Sequence, residues 1–405
     1  MATRVSKPAF NIREKLSELD RPVRNHGTQL MQSADAAESF DLVRAGRKNI
    51  IINGEHKIWQ RGSSISSPAG TGLIFGSDRW MFEEGCSQLV ATISRSADTP
   101  DGEGFQYSAQ FNVDTVESAI AGGDYAQYMY FVEGYDAARL EWGTAKAKPA
   151  TLSFWFKTTI AGDHYVVINS SGGVDTWGTV IHSLANTWKK HVVTIDPPAS
   201  GTWLNDHRRG IEIRIGLCNS ASVAVSDWDK WYHGGGAYNG FSTAHSNLIL
   251  TQNNKAWLTG VQLEEGKVAT PFEFRSYAEE LALCQRYFTV WPPRSGGIPA
   301  WPIYTGGSQA SAHVWIPHTM RTVPTPTDKG TGTSTTTGHA YNNNGNSVSS
   351  RYANGTSPTL SCGGDSDNGH YGLNMHFGSY QSGGHEADTA SWNGTSPGIF
   401  LDAEL

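Results

Sequence analysis

The sequence predicts a mainly β protein, with a short helical N-terminal arm, an antiparallel β-sandwich of jelly-roll type and a small C-terminal all-β domain. Only 17% of its residues are charged, whereas 45 are glycine and 11% are aromatic. This composition is typical of strands joined by many turns. Between residues 49 and 288, short segments alternate apolar and polar residues, and turn clusters such as DPPASG separate them. Regularly spaced strands without intervening helices favour a sandwich.

Residues 1–48 predict an arm rather than a domain. NIREKLSELD (11–20) fits a short helix that Asn11 caps and Pro22 ends, and SADAAESFDLVRAGRK (33–48) fits a second helix. Neither helix is long enough to be stable alone in water. We therefore expect the arm to pack on sister chains or on another protein. The apolar residues expected to make this contact are Phe10, Ile12, Leu16, Leu19, Leu30, Phe40 and Val43.

Residues 49–288 predict the jelly-roll sandwich. In LSFWFKT (152–158), Leu152, Phe154 and Phe156 share one face, and the polar side of the strand carries Ser153, Trp155 and Lys157. The same alternation predicts four further strands, at 164–170, 188–196, 210–218 and 256–264. YAEELALCQRYF (277–288) predicts one short helix that connects the sandwich to the next domain.

Residues 289–405 predict the small C-terminal β domain. Strand-sized pieces alternate with polar segments of low complexity such as GTGTSTTTG and YNNNGNSVSS. No repeat of fixed period occurs, which argues against a solenoid or a propeller. Long loops could expose aromatic side chains for receptor binding, and the candidates are Trp301, Tyr341, Tyr352, Tyr371 and Trp392.

The overall charge and the apolar runs exclude two classes of partner. The formal net charge of -7 argues against nucleic-acid binding, because no basic field would attract phosphates. No run approaches 18 apolar residues, so we expect no membrane insertion. The N-terminus lacks the apolar core of a signal peptide, which predicts folding in a cytosol.

The residues of the chain predict a protein that is not an enzyme. HExxH and a phosphate-binding glycine loop ahead of a helix are missing. Glu133 lies in an apolar strand, and a buried hydrogen-bonded carboxylate is a simpler interpretation of it than a general acid. The four cysteines have no metal-ligand spacing, so we expect buried free thiols, no metal site and no cofactor.

NIIINGEHKIWQRG (49–62) and SDRW (77–80) admit two interpretations, a binding site or a structural signature. The residues concerned are Trp59, Arg61, Asp78, Arg79 and Trp80. The structural interpretation places both tryptophans in the sandwich. It pairs Arg61 with a carboxylate, Asp78 being the nearest candidate, or with a backbone carbonyl. Four further tryptophans are also expected to be structural, namely Trp142, Trp155, Trp188 and Trp257.

These motifs together resemble tail fibres of tailed bacteriophages, in particular marine ones. After the opening pair come YMYFVEGYD, TLSFWFKT and GVQLEEGKVATPFEFRSYAEELALCQRYF, and the last of these is the most specific. MRTVPTPT (320–327), the terminal DAEL and the helical arm are also similar to such fibres. The resemblance covers nearly the whole chain and matches least in the loops between 290 and 400.

The resemblance implies a jelly roll similar to carbohydrate-binding modules, in a receptor-binding fibre that trimerises. It offers no catalytic residues. We therefore expect a structural virion protein, assembled in the host cytoplasm, that docks on a tail adaptor or nozzle through residues 1–48 and adsorbs to a host surface glycan. One alternative is a head-attached fibre or other appendage without receptor binding. A polysaccharide depolymerase is the less favoured alternative.

Overall fold

The computed structural model describes residues 47–405 except ten internal segments. These are 172–174, 221–227, 234–245, 292–300, 307–308, 329–337, 342–358, 366–369, 378–388 and 393–398. The predicted arm residues from Phe10 to Val43 therefore lie outside the described residues. Contacts within the chain divide it into two compact units, Met1–Lys48 and Asn49–Leu405.

The mainly β prediction is confirmed, since two antiparallel sheets form a sandwich. The first sheet has the strand order β1-β4-β5-β13-β7-β10, and the second has the order β12-β9-β8-β11-β6-β3-β2. The strands of the first sheet are β1 (Ser64–Ser67), β4 (Val90–Ser96), β5 (Ser108–Thr115), β7 (Ala150–Thr158), β10 (Lys189–Ile195) and β13 (Lys255–Glu265). Those of the second are β2 (Leu73–Phe75), β3 (Trp80–Glu84), β6 (Tyr125–Glu133), β8 (Gly162–Ser170), β9 (Thr176–Ser183), β11 (Arg209–Asn219) and β12 (Trp231–Tyr232).

The core lies between the two sheets and follows from the alternation along the strands. The side chains of Leu152, Phe154 and Phe156 are fully buried on the inner side of β7. Phe111 of the first sheet packs against Phe82 of the second, with ring centroids 5.0 Å apart. Burial of such a side chain stabilises the fold by about 1.5–3 kcal/mol. All five predicted strands occur, each within two residues of its expected ends.

Two α-helices are found among the described residues, α1 (Gly134–Ala137) and α2 (Tyr277–Gln285). The predicted helix over 277–288 is therefore three residues too long. Ser276 caps its start by accepting a hydrogen bond from the Glu279 amide. Phe288, the expected last residue of the helix, instead begins a strand and lies opposite Asp402. Strand pairing between distant segments therefore overrides the helical periodicity of the sequence. No described helix is long and apolar enough to cross a bilayer.

The opening run of isoleucines is buried without forming a strand. Ile50 donates its amide to the Leu263 carbonyl at 2.8 Å, and Ile52 donates to the Tyr130 hydroxyl at 2.9 Å. Asn53 then takes a positive φ of 57°. The segment is irregular in structure, and its backbone groups bond to both main-chain and side-chain partners.

Two smaller sheets follow the sandwich. A three-stranded sheet has the order β14-β22-β17, and a six-stranded sheet has the order β18-β21-β15-β16-β20-β19. Their strands are β14 (Phe288–Trp291), β15 (Trp301–Gly306), β16 (Gln309–Trp315), β17 (Thr325–Asp328), β18 (Gly338–Tyr341), β19 (Thr359–Asp365), β20 (His370–Phe377), β21 (Thr389–Trp392) and β22 (Ile399–Asp402). The last residues return to the sandwich, where Ala403 donates its amide to the Tyr287 carbonyl at 2.7 Å.

The cysteine prediction holds for three of the four residues. Cys86, Cys218 and Cys284 are buried free thiols, as expected. Cys362 is also free but only partly buried.

Candidate functional site

The outward side of the first sheet combines tryptophans with polar side chains. On β7, Trp155 and Lys157 alternate with two buried phenylalanines and therefore point away from the core. The strand register places Trp257 of β13 beside Lys157 on one side and beside Gln110 of β5 on the other. We define the outer face as Ser94, Gln110, Asn112, Ser153, Trp155, Lys157, Val192 and Trp257 together with the adjoining Trp188.

A lysine between two tryptophans orders the middle of the outer face. The Lys157 ammonium lies 4.7 Å from the ring centroid of Trp257 and 5.9 Å from that of Trp188. Asp98 accepts hydrogen bonds from Lys157 Nζ at 2.7 Å and from Trp188 Nε1 at 2.9 Å. Trp257 Nε1 donates to Gln110 Oε1 at 2.9 Å. These bonds hold both indole rings in a defined orientation before any ligand arrives.

Trp155 is the aromatic residue of the outer face that is left for a ligand. Its side chain is half-buried, and within the described part of the chain its indole N–H donates no hydrogen bond. Its register neighbours are Thr259 and Lys190, and Val192 nearby is 53% exposed. A half-buried aromatic ring beside the exposed Lys190 amine suits a sugar, whose C–H face stacks on the ring and whose hydroxyls bond the amine.

The position of these tryptophans corrects part of the sequence prediction. Trp155 and Trp188 are not core residues, because β7 turns Trp155 outward and Asp98 holds Trp188 on the outer face. Trp257 is buried but packs on the same outer side. Trp142 does lie in the sandwich core. The alternation of LSFWFKT contained the signal, since it already placed Trp155 with the polar residues.

The arginines of the opening motif bind the end of the chain. Arg61 forms ion pairs with Asp402 at 3.0 Å and Glu404 at 3.5 Å, and Arg79 pairs with Glu404. The expectation of a carboxylate partner for Arg61 is therefore met, but the expected partner was wrong. Asp78 instead accepts hydrogen bonds from the amide and side chain of Gln60. Burial raises the pKa of Asp78 to about 6, although Arg61 opposes that shift.

The two tryptophans of the opening motif pack in the sandwich. Trp80 is buried, its Nε1 donates to the Asn53 carbonyl at 3.1 Å, and its ring packs 4.8 Å from that of Tyr130. Trp59 is half-buried against the same core and donates to the His56 carbonyl at 2.6 Å. These contacts agree with the structural interpretation of the two tryptophans, and the role of the motif as a fold signature stays a prediction.

Glu133 has the hydrogen bonds of a structural carboxylate. It is buried and accepts from Arg286 Nε at 2.9 Å, from Arg286 Nη2 at 2.5 Å and from the Tyr287 hydroxyl at 2.5 Å. A general acid needs a proton and an open path to substrate. Glu133 has its oxygens occupied by the connector that follows α2, which supports the simpler interpretation.

The predicted receptor aromatics fall in the second small sheet. Trp301 lies in β15, Tyr341 in β18 and Trp392 in β21, and these three strands are neighbours. Tyr371 lies in β20, two strands beyond β15. The structure describes the backbone of these four residues and no side chain, and Tyr352 lies outside the described residues. Their receptor role stays a prediction.

Among the described side chains, one group has ligand atoms close enough together to bind a metal ion. Ligand atoms of Cys86, Glu117 and Asp124 lie within 4.8 Å of one another, all buried. Glu117 accepts from the Gln88 amide at 2.8 Å, and Asp124 accepts from the Ala121 amide at 2.7 Å. Burial and the nearby carboxylates raise the pKa of the Cys86 thiol to about 12. A metal would have to displace that proton, and the carboxylates already bind amides, so we assign no metal here.

No protein-family model matches the chain, and no curated protein sequence matches it. Among solved structures, the chain is similar to the enzymatically active domain of bacteriophage CBA120 tailspike protein 4, at 13% identity and TM-score 0.28. That match covers 47% of this chain and 20% of the tailspike chain. A family 11 carbohydrate-binding module from Clostridium thermocellum, bound to a mixed-linked tetrasaccharide, matches at 11% identity and TM-score 0.26, over 51% of this chain and 98% of the module. At these scores the matches carry no functional inference.

Proposed function

We propose that this protein binds a host-surface glycan through the outer face, as a fibre subunit of a tailed-phage virion. The observation that carries the binding proposal is Trp155, which stands on the outer face with no internal hydrogen-bond partner among the described residues. Trp188 and Lys157 beside it are fixed by Asp98, so little side-chain entropy is lost when a sugar binds. The fibre part of the proposal is supported by the sequence resemblance.

The proposal includes attachment to the virion through residues 1–48 and association of three chains. A threefold arrangement would bring three outer faces to one host surface, so that weak sugar contacts add by avidity. Mass photometry of the full chain checks this part. A trimer is expected, and a stable monomer at micromolar concentration would contradict it.

Binding to envelope polysaccharide extracted from host cells tests the glycan proposal. Trp155→Ala is expected to lower binding at least tenfold, because the sugar loses its stacking surface. Trp228→Ala is the matched control, since Trp228 is half-buried against Tyr165 and Val167, away from the outer face. Binding that is equal in the wild type and Trp155→Ala would overturn the assignment of the outer face.

A label on Leu405 separates this fibre from a head-attached appendage. Electron microscopy of labelled particles should find the label at the tail. A label on the capsid would favour the head-attached alternative without receptor binding.

A further inference from the structure

An aspartate, a histidine and a serine lie in line at the edge of the sandwich, away from the outer face. Nδ1 of His233 lies 2.7 Å from Oδ1 of Asp175. Its other nitrogen, Nε2, lies 3.5 Å from Oγ of Ser200. Asp175 comes just before β9, Ser200 lies in the loop from β10 to β11, and His233 follows β12. Three separate segments thus bring together a hydroxyl, an imidazole and a carboxylate.

Solvent exposure increases from Asp175 through His233 to Ser200, which is the order that nucleophilic catalysis needs. The Asp175 side chain is 2% exposed, the His233 side chain is 42% exposed, and Ser200 is exposed. His233 is the ion-pair partner of Asp175 within the described part of the chain. A buried carboxylate with this one partner orients the imidazole, so that Nε2 is directed towards the serine. The hydroxyl at the other end is open to substrate.

The loop that carries Ser200 is fitted to the carboxylate. Gly201 has φ +100°, and a Cβ at this position would overlap the carboxylate of Asp175. Oδ2 of Asp175 is buried without a hydrogen-bond partner among the described residues. The Asp175 amide donates to Ser170 Oγ at 2.9 Å, which holds the backbone at this residue. A glycine directly after the serine therefore lets the loop close on the aspartate.

Three tryptophans form a wall beside Ser200. Trp142, Trp203 and Trp231 pack edge to face, with ring centroids 4.9, 5.3 and 5.5 Å apart. Trp203 Nε1 donates to the Ser200 carbonyl at 3.3 Å, which connects the wall to the serine loop. Trp142 and Trp203 also line a cavity of about 240 Å³, together with Glu141. Trp142 is buried behind the other two, and the half-buried rings of Trp203 and Trp231 leave apolar surface next to an exposed hydroxyl.

We infer that Ser200, His233 and Asp175 form a nucleophile, base and orienting acid that hydrolyse a carboxylic ester. Ser200 Oγ bonds to the ester carbonyl carbon while its proton passes to His233 Nε2. The ester C–O bond then breaks, and His233 returns that proton to the leaving alcohol. Water attacks the acyl-serine, gives a proton to His233, and releases the carboxylic acid as Ser200 Oγ regains its proton. The sum is ester plus water to acid plus alcohol.

The 3.5 Å separation of Ser200 Oγ and His233 Nε2 is compatible with this role. Such bonds are often long in unliganded enzymes and shorten in the substrate complex. We assign an O-acylated sugar as the substrate class, because the tryptophan wall can stack on a sugar ring. This choice of substrate rests on the proposed glycan function, whereas the acyl transfer does not.

Two substrates, 4-nitrophenyl acetate and O-acetylated xylan, test the full chain for catalysis by Ser200, His233 and Asp175, which we call the relay. The wild type should release 4-nitrophenol and acetate faster than buffer, and Ser200→Ala should lose at least about a hundredfold of that rate. Ser63→Ala, at another exposed serine, is the matched control and should keep the rate. Asp175→Asn should lose rate and change the pH profile, because the imidazole loses its orienting carboxylate.

A fluorophosphonate probe followed by peptide mapping gives a readout that does not depend on turnover. Labelling of Ser200 in the wild type, and loss of that labelling in His233→Gln, is expected. Unlabelled Ser200, or equal ester hydrolysis by the wild type and Ser200→Ala, overturns the relay. Polysaccharide binding is measured in parallel: Ser200-dependent hydrolysis of 4-nitrophenyl acetate without glycan binding by the wild type would overturn the proposed function and leave the relay standing.

Discussion

Arg79 and Glu404 form a buried ion pair between residues 325 positions apart. Their side chains are 1% and 3% exposed. The Arg79 guanidinium also donates to the Phe131 carbonyl at 2.5 Å and lies 3.6 Å from the ring centroid of Tyr287. The end of the chain is thus held against the sandwich by charge as well as by strand pairing.

Glu404→Gln should destabilise the protein by about 3–5 kcal/mol, because it leaves the Arg79 charge buried without its carboxylate. Urea unfolding monitored by tryptophan fluorescence measures this change. Glu265→Gln, which breaks the exposed pair with Lys148, is the control and should cost less than about 0.5 kcal/mol. Similar losses in the two variants would contradict a special role for the terminal pair.

Arg61→Ala should lower stability and leave glycan affinity unchanged in the protein that stays folded. The guanidinium lies 3.5 Å from the ring centroid of Phe288 and pairs with Asp402, so its loss should cost about 1–3 kcal/mol. Thermal unfolding and the polysaccharide binding assay check the two parts. Arg208→Ala, at an exposed arginine, should leave the midpoint unchanged. If a stable Arg61→Ala protein lost polysaccharide binding, the opening motif would have to be interpreted as a binding site.

His191 should make the fold sensitive to acid. Burial lowers its pKa from 6.5 to about 4, and the nearby Lys189 acts in the same direction. Between pH 6.5 and 4 the unfolded chain therefore binds a proton that the folded chain does not, so stability falls as pH falls. From pH 7 to 5 this one group contributes a loss of about 2 kcal/mol.

The comparison of the wild type with His191→Phe measures that contribution. Phenylalanine keeps the stacking on Phe154, whose ring centroid lies 5.5 Å away, and cannot bind a proton. The difference in unfolding free energy between the two proteins should change by about 2 kcal/mol from pH 7 to 5. Asp78, with a raised pKa, contributes in the opposite direction in both proteins and cancels. A difference that stays constant with pH would show that His191 titrates alike in both states.

Gly216→Ala should destabilise the second sheet. A Cβ on Gly216 would overlap the ring of Tyr165, which is fully buried and donates to Gln127 Oε1 at 2.8 Å. Overpacking of this kind costs about 1–3 kcal/mol. Urea unfolding measures this loss of unfolding free energy. Gly102→Ala would not serve as a control, because Gly102 has a positive φ that an alanine adopts only with strain. Wild-type stability in Gly216→Ala would mean that the tyrosine ring can move aside.

The alternation of residues made the sandwich predictable, whereas the candidate sites needed the fold. LSFWFKT shows which side of β7 is apolar, but the sequence does not tell whether the other side faces solvent or a second layer. Trp155 was therefore expected to be structural although it shares the polar side of its strand. The Asp175, Ser200 and His233 group has no spacing motif at all, since 25 and 33 residues separate its members in the sequence. Only the pairing of strands at the sheet edge brings them together.

By itself, the sequence determined the β class and the positions of the main strands. These depend on local period, turn residues and composition, which act within a few positions of the chain. The tertiary structure decided that Arg61 pairs with Asp402 and Glu404 rather than with Asp78, and that Trp155 faces outward. Those outcomes depend on contacts between segments that are distant in sequence. Asp78 is near Arg61 in sequence, but the fold brings the carboxylates of Asp402 and Glu404 closer to the Arg61 guanidinium.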